Sequence, residues 1–165
     1  MITTRSASTH TLPVFTAFVV LTFYSVGAGY LESFVNYPLW HVIGASDEWV
    51  AYRQVLGPRV LIVLALPALA SLITNVLLFF VRPAAVPTWT VAVTSALLLM
   101  ALVSTLAIQL PIQSRLDVAY DRAAVDWLMT SSLWLRDVPG GISAALVAYM
   151  LHRVVSTSAR LHAVP

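Results

Sequence analysis

"RVLIVLALPALASLITNVLLFFV", residues 59–81, has no charge after its opening arginine and stops at Arg82 and two prolines, "RPAAVP". A run of this length matches the ~20 apolar residues that a helix needs to cross the ~30 Å hydrocarbon core of a bilayer. Pro67 inside it predicts a kink rather than an end. Three further stretches share the pattern. Downstream lies "TWTVAVTSALLLMALVSTLAIQL" (88–110), closed by Pro111, and upstream "LPVFTAFVVLTFYSVGAGYLESFV" (12–35), opened by Pro13. The last, "VPGGISAALVAYMLHRVV" (138–155), is shorter. The first run continues past "VGA" and follows a weakly basic segment, so it reads as a span rather than a cleaved signal. Lipid offers the backbone no hydrogen-bond partners, and helices satisfy it internally.

The expected fold is therefore all-α, one integral membrane domain over residues 1–165. It is a four-helix transmembrane bundle with two longer, partly helical connections, 36–58 and 111–137, capping one end. Trp49, Tyr52 and Leu56 recur at helical spacing on one face of the first connection. Trp40, Trp49, Trp127 and Trp134 fall in these connections, as interfacial tryptophans do. No internal repeat is evident.

Composition supports the same class. Hydrophobic residues make up 59% of the 165 and charged ones 10%, with mean hydropathy +0.86, far from the ~25% charge of a soluble domain. A net charge of +2 leaves no nucleic-acid footprint. The absence of cysteine removes disulfides, thiolate metal sites and thiol redox chemistry. No Glu-x-x-His pair, zincin helix or phosphate loop occurs, and the histidines (His10, His41, His152, His162) divide between the two ends. No metal and no cofactor is expected. Four spans put both termini on one side with Arg5, Arg82, Arg153 and Arg160, while the other holds Arg53, Arg59, Arg115, Arg122 and Arg136 and all the acids, so that counting arginines alone does not choose a side. Acid-free ends and a short Arg82 turn point to cytoplasmic termini in the inner or plasma membrane.

Thr22, Ser25, Gly29, Glu32 and Asn36 form one helical stripe, which predicts that Glu32 faces the bundle. Three readings stand for this carboxylate: an ion pair with Arg59 or Arg115 that fixes helix register, a ligand-facing, proton-handling group, or a side chain that snorkels towards water. His41 reads as a hydrogen-bonded loop residue, or as a general base or metal ligand. Glu32 and His41 are the candidate catalytic residues. Asn36, Tyr37, Trp40, Arg59, Gln113 and Arg115 are the candidate binding residues at the outer end. Asn75, following Ala68 and Ser71, predicts an interhelical hydrogen bond. Gly140, Ala144 and Ala148, extended by Gly141 and Ala145, predict close packing of the last span. Ser143 points away from that face, so a leucine at 143 should be milder than one at 141.

"SVGAGYLESFVNYP", a second span opening after an arginine, "LPIQSRLD" and "SSLWLRD" together resemble the family of small four-span membrane proteins that includes fungal anthrone oxygenases. The resemblance implies a polar pocket facing the longer connections, and oxygen insertion into an aromatic substrate without a metal. The alternative is a non-enzymatic accessory subunit or scaffold; a transporter ranks behind both. Expected partners are the lipid bilayer, a hydrophobic or aromatic small molecule and a second copy of the chain, with no nucleic acid.

Overall fold

The computed structural model describes residues 11–44 and 46–162. Arg5, His10 and the side chain of His162 lie outside what is described. Four long helices, Thr11–Ile43, Trp49–Val81, Thr88–Leu116 and Arg122–Arg160, are each long and apolar enough to cross a membrane. Consecutive helices pack on one another and the fourth closes against the first. The described chain has no strand. This is the expected four-helix bundle, and its termini leave on the same side.

The spans run further than hydropathy alone placed them. The connections expected at 36–58 and 111–137 are helical over most of their described residues, among which the helices are interrupted only by short turns at 44, 46–48, 82–87 and 117–121. Each helix instead changes form once, in a single wide π turn: Glu32–Asn36, Leu61–Ala65, Thr105–Gln109 and Leu133–Asp137. A proline follows each of them two residues on, at Pro38, Pro67, Pro111 and Pro139. Proline supplies no N–H, and its ring collides with the carbonyl four residues back. The wider turn accommodates that ring: the N–H groups of Tyr37, Leu66, Leu110 and Val138 reach back five residues to Glu32, Leu61, Thr105 and Leu133. Four prolines thus impose one device on four helices at one height, a repetition of local structure that no sequence repeat announces.

The π level divides the bundle into an inner tier and an outer tier, the latter comprising Tyr37–Ile43, Trp49–Val60, Leu110–Leu116 and Arg122–Ser132. Along the second helix the uncharged stretch from Arg59 to Arg82 covers about 35 Å at 1.5 Å per residue. That is close to the ~30 Å of bilayer hydrocarbon. The π level therefore sits near the outer edge of the lipid tails, and the outer tier, with exposed Asp47, Glu48, Asp117, Asp121 and Asp126, rises into headgroups and water. Exposed Trp89 at the inner end and Trp134 near the π level mark the two interfaces. Trp40 and Trp49 are not interfacial as expected: both are buried because the outer tier has a core of its own.

Each tier closes its end with apolar side chains. Phe15, Phe18, Leu78, Val91, Val147 and Met150 pack together at the inner end. Tyr37, Trp40, Trp49, Ile112, Leu116, Val125 and Leu128 do so at the outer end, with Tyr52 and Leu56 against them. The amphipathic face read from Trp49, Tyr52 and Leu56 does this packing. Gly44 lets Tyr120 lie against the first helix, since a Cβ there would meet the Tyr120 ring and stand 2.6 Å from the Trp40 carbonyl oxygen.

Between these cores the interior is polar. Thr22 and Ser71 share a hydrogen bond of 2.8 Å, and Ser95 donates to the Asn75 amide oxygen, the interhelical contact expected of Asn75. The small-residue face of the fourth helix needs correction. Gly140 does meet Val26, and a Cβ on Gly141 would lie 2.6 Å from the Tyr30 hydroxyl. Ala148, however, is exposed, whereas Ser143 is fully buried in line with Val147 and Met150.

Candidate functional site

The π turns gather the charged and amide side chains into one layer. Glu32 and Ser33 are buried in the first turn, Gln109 in the third and Asp137 in the fourth. Arg136, half-buried beside Asp137, donates to the Gln109 side-chain oxygen at 2.7 Å and to the Tyr37 hydroxyl at 3.3 Å. Gln109 in turn donates to Ser104 at 3.2 Å. Ser33 donates to Asp137 Oδ1 at 3.0 Å, and Tyr30 to the Asp137 backbone carbonyl at 3.1 Å. Asn36 donates to Glu32 Oε2 at 2.6 Å, one helical turn away. Gly29 faces the guanidinium: a Cβ there would lie 3.9 Å from Arg136 Nη2.

Two acceptors in this layer have no partner. Glu32 Oε1 and Asp137 Oδ2 are buried without a hydrogen bond. Leaving a buried carboxyl oxygen unpartnered costs more than making the bond returns, so such atoms mark where a partner belongs. Among the described residues neither Arg136 nor Arg53 forms an ion pair with Glu32. The expected pair with Arg59 or Arg115 does not form: both arginines are exposed. Each sits in the outer tier beyond a π turn, facing headgroups that solvate it better than the interior does.

A second cluster lies above the first, in the outer tier. Arg53, only 2% exposed, donates to Asp117 at 2.8 Å and to the Gln113 side-chain and backbone oxygens at 3.4 Å. Its guanidinium carbon is 4.5 Å from the Trp40 ring centroid, a cation–π contact in a desolvated setting. Trp40 donates to the Tyr52 hydroxyl at 3.1 Å, and Trp49 to the Leu116 carbonyl at 2.6 Å. His41 is held on both ring nitrogens, by the Tyr120 hydroxyl at 2.9 Å and Asp126 at 3.0 Å.

The candidate residues therefore fall into three groups. Glu32, Asn36 and Tyr37 belong to the charged level, Trp40, His41 and Gln113 to the cap above it, and Arg59 and Arg115 to neither. Glu32 and His41 are nine residues apart on one helix, about 13 Å along its axis, and work in different clusters. Of the residues that complete these clusters, the sequence offers Gln109 in a polar group closing the third span and Arg136 and Asp137 at the mouth of the fourth, while Arg53 and Ser33 were missed. The available signal for the charged level was the recurrence of a polar residue two places before a mid-helix proline, at Asn36, Gln109 and Asp137. Among the described residues no three metal-ligating side chains come together.

The second helix adds no buried polar side chain at the charged level. That helix has no buried residue between Arg53 and Ser71, and Leu56, Val60, Leu64 and Pro67, spaced along one face, are half-buried. The polar layer thus has three helices with buried side chains around it and one thinly packed apolar wall. No family model, curated protein or solved structure matches the chain.

Proposed function

We propose that the charged level binds the head of a lipid-soluble molecule carrying a hydrogen-bond donor, of which a hydroxylated aromatic is the best-fitting class. The observation that carries this reading is the pair of buried, unpartnered carboxylate oxygens, Glu32 Oε1 and Asp137 Oδ2, in one layer with Arg136. A hydroxyl donates to the carboxylate while its oxygen accepts from a guanidinium, so one phenol answers both needs. The height suits such a ligand: near the outer edge of the lipid tails, its apolar body remains in hydrocarbon. The thin wall of the second helix offers the way in from the bilayer. The same class is implied by the resemblance to anthrone oxygenases, and removal of the phenol proton by Glu32 is the first step that chemistry would take.

A direct comparison of two probes tests this. 1-Naphthol should bind the protein in nanodiscs at least tenfold more tightly than 1-methoxynaphthalene, which has no donor, as read by quenching of the tryptophan fluorescence. Tenfold corresponds to ~1.4 kcal/mol, within reach of one hydrogen bond to a charged acceptor. Glu32→Gln should erase the preference. Equal affinity for the two probes in the unmodified protein would sink the reading and favour the scaffold alternative, which the filled outer cap around Arg53 and His41 also supports.

For orientation we infer cytoplasmic termini, on the acid-free inner end with Arg82, Arg153 and Arg160. A cysteine at exposed Ser46 should react with an impermeant thiol reagent in intact cells, and one at Ser158 should not. The opposite labelling pattern reverses the assignment.

A further inference from the structure

One turn outward from the inner apolar cluster, every helix places a buried hydroxyl or amide. Thr22 follows Phe18 on the first helix, Asn75 and Ser71 precede Leu78 on the second, Thr94 follows Val91 on the third, and Ser143 precedes Val147 on the fourth. All five are 0% exposed. Thr22 and Ser71 bond to each other, and the Asn75 oxygen accepts from Ser95. The Asn75 amide nitrogen, Thr94 Oγ1, Ser143 Oγ and, slightly higher, Ser25 Oγ are buried without any partner. They come from all four helices, so no choice of rotamer on one helix accounts for them. Small polar residues grouped at one level are the setting in which internal water supplies the missing bonds, each molecule needing 2–4 polar neighbours. The next polar groups outward are Ser104, Gln109 and Glu32 at the charged level.

We propose that this hydroxyl level holds internal waters that relay protons between Glu32 and the inner end of the bundle, with the Phe15–Phe18–Leu78–Val91–Val147–Met150 cluster as the gate. In each hop one O–H bond forms as another breaks, so no oxidant or co-reactant is required. A proton released at Glu32 needs a polar route out, and the outer route carries the fixed positive charge of Arg53. The inner route is uncharged and lined by groups that both donate and accept. The apolar cluster interrupts it at the inner end, and about two helical turns separate Ser25 from Glu32, a distance the internal waters bridge. The proposal does not depend on ligand binding: it concerns a different level, and its readouts use no ligand.

Two measurements test it. Water-edited solid-state NMR of the unmodified protein in bilayers should show early magnetisation transfer from water to Thr94 and Ser143, and late transfer to Phe18 and Val147. Transfer to Thr94 and Ser143 as late as to Phe18 overturns the proposal. In phosphatidylcholine vesicles loaded with pyranine, Phe18→Ala should raise proton influx under a potassium diffusion potential at least fivefold over the unmodified protein, with no comparable rise in sodium leak. Adding Asn75→Leu should return the influx to the starting level. No rise, a matching sodium leak, or a rise that Asn75→Leu leaves intact each overturns the relay. If Phe18→Ala fails to fold, the hydration measurement decides alone.

Discussion

Arg136→Met should lower the unfolding free energy by about 3 kcal/mol, toward the low end of the ~3–5 kcal/mol typical when one member of a buried charged group is removed. The guanidinium bonds Gln109 and Tyr37 in the same layer as the buried Glu32 and Asp137 carboxyl groups. Without it, those acceptors keep their burial and lose their compensation. The low end is expected because Arg136 is only half-buried, so water and headgroups screen part of the loss. Reversible unfolding in mixed detergent–SDS micelles provides the measurement. Combining Arg136→Met with Glu32→Gln should recover at least a third of the deficit, because one uncompensated charge is then gone. A single variant within 0.5 kcal/mol of the parent would mean that the charged level contributes little to the bundle.

Ser143→Leu should be the most damaging packing change in the inner tier, and clearly worse than Gly141→Leu. Ser143 is fully enclosed at the level of Asn75 and Thr94, so a leucine there must push into their side chains and displace the water that bonds them. Overpacking of this kind costs about 1–3 kcal/mol and occasionally more, and here it also crowds partnerless polar atoms. At Gly141 the first obstacle is the hydroxyl end of Tyr30, a half-buried side chain that can swing toward lipid at the cost of its bond to the Asp137 carbonyl. Thermal unfolding in detergent should rank the two variants in that order. Equal losses, or a larger loss for Gly141→Leu, would contradict the assignment of the fourth helix's inner face.

That ranking reverses what periodicity suggested, and the reason extends to the whole site. The four spans, the shared side of the termini, the inward stripe of Thr22, Glu32 and Asn36, and the bonding of Asn75 were legible because each depends on composition or on spacing within one unbroken α segment. The completion of the site was not. Pro111 read as the close of the third span, since proline usually stops a helix, and Pro38 and Pro139 lay at the margins of the first and fourth. Here each is absorbed by a π turn, which contains one extra residue and so rotates everything beyond it by about 100° relative to an α-helical projection. Arg59 and Arg115 were assigned inward across such turns and face outward. Arg136 and Asp137 lie inside one, where neighbouring residues can both point to the axis. Ser143 was misplaced because its face was projected from Gly140, Ala144 and Ala148, small residues that mark where a neighbour can approach but not which side is most enclosed.

The division at the π level also means that one chain is stabilised against two solvents. Around the inner tier the surrounding lipid tails are as apolar as the core, so burial there yields packing and polar contacts but little hydrophobic driving force. The outer tier stands in water, and its Trp40–Trp49–Leu116–Leu128 core is held as a soluble protein's core is, with a positive heat-capacity change on exposure. Urea, which acts in proportion to the surface exposed to water, and cooling therefore weaken the cap while leaving the inner helices associated. The lid over the Glu32–Arg136 layer is in this sense a small aqueous domain, able to loosen without dissolution of the bundle that carries it.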